Sequence, residues 1–552
     1  MLEPMCGLGR DMVRTGRDEV GARVVASRSD AKKFSPPVGV VSCGGLRAES
    51  FLRPRAMLTL YLILPALLVA VVIASVALER WSVPVILVSL GTGIVCGSDV
   101  LKLWHFDDMV LTNQAANLAL VFILFHGGFM TKRANFRAVA LPASGLATWG
   151  VLLTAAITFA ALRWGLGWSM ELSLLLSVII SSTDAAAIFS ILRAQSLPQK
   201  LSSTVEIESA ANDPMAILLT TVAVSSLASG ESFGATTVLL FLWKFGAGPL
   251  IGYAAGRVII KLFNWLTPQD RGYYYVLFMG VVMLTYGIAE LAQASGMLAV
   301  FTAGFVMGNG AFVHKQGVQN FSEALSTIVN IGMFVLMGLL VFPSQFAHLW
   351  VQGLLLFLVL TFIARPLAVF IGTVGMGIAA RDKVFAAWAG LRGAVPIVLA
   401  TYPAAAGLAI GNEVFNLVFF AVLLSIITQG STLGVVAKWL GLAEPARPKA
   451  LFNLEMITMA KSDYDMVIVD LPGPKGAPGP RLRDLRLPEG AIITLITRGD
   501  EVVLPKGETQ LQGWDQITVL AHAPDEDQIR EKLIGPFEAV AGDASSAPTP
   551  AT

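Results

Sequence analysis

Between residues 57 and 440 the sequence returns about thirteen times to an apolar run near membrane-spanning length, separated by short loops that carry most of the charge. A helix crossing a hydrocarbon core needs roughly 20 such residues. Only helices that satisfy their own backbone hydrogen bonds can repeat this pattern in lipid. The chain is 55% hydrophobic and 14% charged, outside the range of a soluble protein of this size. The expected fold class is therefore an all-α polytopic membrane protein, with a small α/β unit appended at its C-terminal end.

Loop charge sets the orientation. Arg80, Lys132, Arg133, Arg137, Arg193, Lys200, Arg257, Lys261, Arg271, Lys315, Arg381, Lys383, Lys438, Arg447 and Lys449 fall on one side, and only Lys102 and Arg163 on the other. Basic loops stay in the cytoplasm, so the C-terminus is expected there. Residues 1–56 have no sustained apolar period and are read as a disordered or non-native extension, with Met57 as the expected start. The apolar membrane region is 57–444, and 445–464 is a linker. Strand-length runs at 466–471, 491–498, 501–505 and 516–523 and a helical stretch make 465–536 a small cytoplasmic domain, and 537–552 reads as a disordered tail.

Cys6, Cys43 and Cys96 lie far apart, which argues against a disulfide framework or a zinc site, and His126 reads as a packed side chain. Net charge is +1, which gives no reason to expect nucleic acid.

Carboxylates inside the apolar runs carry the functional signal, since each costs at least about 2.5–3.5 kcal/mol at the bilayer centre. Asp213 is thirteen residues past Lys200, or about 20 Å along a helix and close to the midplane. Asp184, in SSTDAAA, is comparably deep in the preceding segment. Glu208 and Asn212 are four apart, as are Ser209 and Asp213, and Glu206 falls on the same broad stripe. A carboxylate beside an amide and a hydroxyl can replace the hydration shell of a hard monovalent cation; the same carboxylate can instead take a proton. Pro214 removes a backbone donor and is expected to loosen that turn.

Two segments should be broken. Ser181, Ser182, Thr183 and Asp184 in succession compete with the helix for hydrogen bonds, and Gly390, Gly393 and Pro396 bracket Arg392. Interrupted helices in matching positions of two halves point to a transporter's midplane site, here with inverted halves because seven segments separate the breaks. Arg392 requires an anion at this depth; Glu208 is the first choice and Asp184 the second. Arg365 is as readily a snorkelling side chain as a site residue. An intramembrane aspartyl protease lacks its GxGD context here, and a channel lacks a TVGYG-like filter.

STDAAAIFSIL, EIESAANDPMAI and GLRGAVPIVLA, in this order and spacing, resemble the monovalent cation:proton antiporter family, in the branch marked by an Asn-Asp pair. The likeness covers about residues 57–440. It implies thirteen helices in an inverted repeat with two interrupted crossing helices, a homodimer, and elevator-like alternating access. It also implies that Asp213 carries cation or proton, helped by Thr183, Ser209, Asn212, Asp184 and Glu208. The cation itself would sit at Asp213, Thr183 and Ser209, and Arg392 would pair with Glu208. Asn-Asp members are electroneutral as a rule. No cofactor is implied. Residues 465–530 resemble TrkA-C/RCK-C-like regulatory domains, whose ligand the residues do not specify. The combination looks most like the K+/H+ exchangers of Gram-negative inner membranes, although no residue separates K+ from Na+.

Overall fold

The computed structural model describes residues 54–78, 85–103, 106–133, 136, 145–184, 188, 195–230, 234–266, 270–445, 464–473, 475–499, 501–522 and 525–545. The chain divides into two units, one ending at Tyr61 and one starting at Leu62. Of the first, residues 54–61 are described and are helical. The readings made for residues 1–53, for the linker between 446 and 463, and for the last seven residues lie outside the described residues.

The described residues of the membrane part are mostly helical. Its helices are α1 (Pro54–Leu78), α2 (Val85–Cys96), α3 (Met109–Met130), α4 (Val151–Ala160), α5 (Met170–Ile179), α6 (Gln199–Ser229), α7 (Ala235–Trp265), α8 (Gly272–Leu291), α9 (Gly296–Gly308), α10 (Lys315–Leu339), α11 (Phe346–Leu358), α12 (Arg365–Gly372), α13 (Ala380–Trp388), α14 (Ala394–Leu399), α15 (Tyr402–Ala405), α16 (Gly411–Ser425) and α17 (Ser431–Trp439). Widened π turns flank α4, join α11 to α12 through Val359–Ala364, and join α16 to α17 through Ile426–Gly430. Among the described residues, eight helical stretches are long and apolar enough to span a membrane, and five shorter apolar helices accompany them. The chain is thus a mostly helical, multi-pass membrane protein.

A large apolar cluster, with Phe125, Phe263, Phe278 and Phe419 fully buried, ties α3, α7, α8 and α16 together. Its aromatic centre is built from edge-on rings, as at Phe125 with Phe278 and Phe263 with Phe312, an arrangement that ring quadrupoles favour. In contrast, α7 buries few of its residues and presents Leu239, Leu242, Leu250 and Val258 outward, as a helix facing lipid does.

Strands β1 (Gln195–Ser196) and β2 (Glu444–Pro445) pair antiparallel, so the chain leaving α17 is stitched beside the entry to α6. The C-terminal part follows the α/β pattern. Strands β3 (Tyr464–Asp470), β4 (Pro478–Arg481), β5 (Ile492–Arg498), β6 (Glu501–Val503), β7 (Gln510–Gln512) and β8 (Asp515–His522) form a four-stranded antiparallel sheet in the order β3-β8-β5-β6 and a separate β4-β7 pair. Helix α18 (Glu526–Ser545) lays Ile529, Leu533 and Phe537 on Val467, Val469, Ile517 and Val519. The sequence reading ended order at 536, and the helix runs past it. Phe537 supplies the reason: it is buried, and a Cβ on Gly479 would strike its ring. β4 and β7 carry no apolar alternation and were not expected.

Candidate functional site

Both expected breaks are present, and each completes the other. Helix α5 starts on its cap, with the Ser169 hydroxyl accepting from the Leu172 N–H, and ends at Ile179. Near its end the Ser177 and Ser181 hydroxyls donate back to the carbonyls of Leu174 and Val178, the local competition that ends helices. Residues 182–184 then run without regular structure. The second break separates α13 from α14, at 389–393.

The polar face of α6 receives the first break. Asn212 Nδ2 donates to Thr183 Oγ1 at 2.7 Å, its Oδ1 accepts from the Thr183 N–H at 3.4 Å, and the Ser209 hydroxyl donates to the Thr183 carbonyl at 2.8 Å. Thr183, Ser209 and Asn212 are all buried. The Asp184 N–H donates to the Leu391 carbonyl in the second break at 2.8 Å. Four polar groups freed by unwinding are thereby paired inside the protein, as backbone at membrane depth requires.

The arginine pairing differs from the sequence expectation. Glu208 meets Arg365, with 2.7 Å between Oε1 and Nη1, and the two side chains are 1% and 4% exposed. Arg365 also donates to the Ala386 carbonyl, so it is a buried, ion-paired side chain and not a snorkelling one. Arg392, expected on Glu208, instead donates through Nη1 to the carbonyls of Ser181 (2.9 Å) and Ser182, buried groups just past the C-terminal end of α5. Its backbone N–H is held by Ser425 Oγ, whose hydroxyl is fixed by Gln429 and, through Gln429, by the Trp388 carbonyl. A guanidinium rooted there caps the partial negative charge of a helix end.

Two glycines make these positions possible. A Cβ on Gly390 would lie 2.6 Å from Arg365 Nε, and one on Gly393 would lie 1.7 Å from Asp184 Oδ2. The GLRG motif therefore leaves room for ionisable groups on both sides of Arg392.

Asp213 is half-buried, within electrostatic reach of Asp184 and beside Ser182. Among the described residues no ion pair reaches it, in contrast to Glu208 five residues earlier. Pro214 does not break α6, which is continuous from Gln199 to Ser229, because the residues just after it are packed on all sides. Glu206 lies on the stripe as expected but is exposed. No group of three or more His, Cys, Asp or Glu suited to a resident metal occurs among the described residues.

Sequence reasoning did not assign Arg365 a role, although a charge followed by proline inside a long apolar run was a usable signal. It also gave no hint of the network at the other end of α3. There Asn113 donates to Thr401, Asn117 to Asn113, and the Tyr402 hydroxyl to Asn117.

Comparison with known proteins follows the same division of the chain. Residues 66–439 match the family described as "Sodium/hydrogen exchanger, transmembrane", and residues 466–534 match the TrkA-C domain. A protein of Shewanella oneidensis named K(+)/H(+) antiporter NhaP2 is 33% identical over 494 residues, covering 86% of each chain. The K(+)/H(+) antiporter NhaP of Alkalimonas amylolytica is 32% identical over 475 residues, 86% of this chain and 83% of that one. The solved structure of the sodium proton antiporter MjNhaP1 from Methanocaldococcus jannaschii at pH 8 superposes with a TM-score of 0.60 at 24% identity, over 69% of this chain and 99% of that one, and so shares the fold. The chain belongs to the sodium/hydrogen exchanger family: it is a monovalent cation/proton antiporter with a TrkA-C domain at its C-terminal end.

Proposed function

We propose that this antiporter exchanges K+ for H+, one for one, across the bacterial inner membrane, with Asp213 holding either ion in turn. The observation that carries this reading is the contrast on α6: Glu208 is neutralised by Arg365, whereas no ion pair reaches Asp213 among the described residues. One carboxylate able to be neutralised by a cation or by a proton, never both, gives exchange without net charge movement. Thr183 and Ser209 would furnish neutral oxygens beside it, Asn212 would hold Thr183 in place, and Asp184 would share the cation's field. Arg392 would keep the broken helix end from closing on the site.

K+ is favoured by the names of the Shewanella and Alkalimonas relatives. A second reading, Na+, is favoured by the Synechocystis relative named Na(+)/H(+) antiporter NhaS2, 29% identical over 414 residues. In this reading the eight long spans and five shorter apolar helices make thirteen crossings in two inverted halves, working as a homodimer by elevator-like movement.

Everted vesicles loaded with a ΔpH-sensitive dye provide the test. Added K+ should dissipate the gradient more effectively than Na+, Rb+ or Li+, and the rate should not respond to membrane potential. Asp213→Asn should abolish the response while the protein remains folded. Unchanged exchange by that variant would remove Asp213 from the mechanism, and a stronger response to Na+ would select the second reading.

A further inference from the structure

The proposed Asp213 reading requires a route by which ions reach that carboxylate, and α6 itself contains a feature that points to one. Between Ser203 and Leu218 the helix is buried except at Glu206, Ala210, Ala211 and Asp213. Glu206, Ala210 and Asp213 are spaced i, i+4, i+7, which places them one above another on a single face. Ser202, one turn earlier, is also accessible, and the five residues after Asp213 are all buried. The open stripe therefore begins at the end of α6 next to Lys200, on the side the loop charges assign to the cytoplasm, and stops at Asp213.

Lipid does not explain this stripe. A carboxylate two turns into the bilayer and facing hydrocarbon would cost at least about 2.5–3.5 kcal/mol, and this stripe carries two. The residue between them is alanine, whose small side chain obstructs nothing. Glu206 is exposed, is not part of the Glu208–Arg365 pair, and lies about 10 Å along the helix from Asp213.

We propose that Glu206 is a positioning residue for the cation, drawing hydrated monovalent cations into a path, lined by Ala210, that ends at Asp213. A fixed negative charge at the mouth of a low-dielectric recess raises the local cation concentration without changing the chemistry at its end. Glu206 should then act on the apparent KM for cation and leave the maximal rate alone. At a separation of about 10 Å and effective dielectric constants of about 20 to 80, one charge is worth roughly a 2- to 15-fold change in local cation occupancy.

The test uses the full chain in everted vesicles, with K+ and Na+ as the probes. Glu206→Gln should raise the apparent KM for both cations about 3- to 10-fold at low ionic strength, with maximal rate retained, and Glu206→Asp should restore most of the affinity. Added choline chloride should raise the wild-type KM toward that of Glu206→Gln and leave the variant's nearly unchanged, a response that a merely structural role would not produce. In a background with Cys6, Cys43 and Cys96 replaced by Ser, Ala210→Cys should be blocked by an impermeant thiol reagent applied to the cytoplasmic face, and bound K+ should slow the block. A Glu206→Gln variant with wild-type KM, or one whose maximal rate falls at unchanged KM, would overturn the proposal; so would an Ala210→Cys that reacts without loss of exchange. If Asp213→Asn abolishes exchange while these results are negative, the path is wrong and the Asp213 reading stands. If Asp213→Asn exchanges normally, that reading fails first.

Discussion

Two arginine–carboxylate pairs among the described residues, one fully buried in the membrane part and one half-buried in the C-terminal domain, are finished differently. In the domain, Arg498 and Asp515 are cross-strand neighbours at the ends of β5 and β8, and they join through two parallel contacts of 2.8 Å each. Arg498 also donates to the Gln510 carbonyl, and Asp515 accepts from the Gln512 N–H, so nearly every capacity is used. The hydrogen bonds that Asp515 accepts from it push the Arg498 guanidinium above its ordinary range. In the membrane, Glu208 and Arg365 share a single charge contact without the alignment of a hydrogen bond. Arg365 Nε and Arg392 Nε and Nη2 find no hydrogen-bond partner among the described protein groups. A pair that only holds shape can be saturated. Charges beside the proposed transport site would retain capacity for groups that come and go, and buried polar groups left in that condition call for an explanation.

Breaking the membrane pair should have the largest effect. Arg365→Ala leaves Glu208 buried without its cation and should cost about 3–5 kcal/mol, seen as loss of monodisperse protein in detergent and a lower melting temperature. Adding Glu208→Ala should recover stability in the Arg365→Ala protein but not in Arg392→Ala. Equal rescue of both would mean that Glu208 serves the two arginines alike.

Breaking the domain pair should cost less, about 1.5–3 kcal/mol before allowance for solvent screening, because Arg498 is partly exposed and Asp515 keeps the Gln512 N–H. Arg498→Ala should accordingly loosen the C-terminal domain to protease while vesicles still exchange ions. Exchange lost together with the domain would mean that the membrane part depends on it for folding.

Ser209→Ala removes one hydroxyl-to-carbonyl bond to Thr183, worth about 1 kcal/mol. It should leave a folded exchanger with a cation KM raised less than tenfold. A complete loss of transport would make the Ser209 oxygen an obligatory ligand rather than a support for Thr183.

Reading along the chain recovered much of this. The serine, threonine and aspartate run at 181–184 and the glycines around Arg392 marked both breaks, because hydroxyls that bond their own backbone and residues without a Cβ act locally. The i, i+4 pairs on α6 likewise placed Ser209, Asn212 and Asp213 on one face before any neighbour was known. The reading failed where the answer lay between helices, as at Arg392, which depth, charge and the family resemblance all assigned to Glu208. It also placed the end of order at 536, since the tail's polar composition does not reveal that Phe537 has a sheet to rest on.

The sequence alone determined that this chain spans a membrane, where two of its helices break, and which side chains share the face of α6. Hydropathy, backbone competition and helical period are each set within a few turns of one segment. Only the tertiary structure decided that Arg365 neutralises Glu208, that Arg392 caps the broken helix end, and that the accessible stripe of α6 stops at Asp213. Distances between segments far apart in sequence depend on how helices pack, and the space left by Gly390 and Gly393 selects which charges meet.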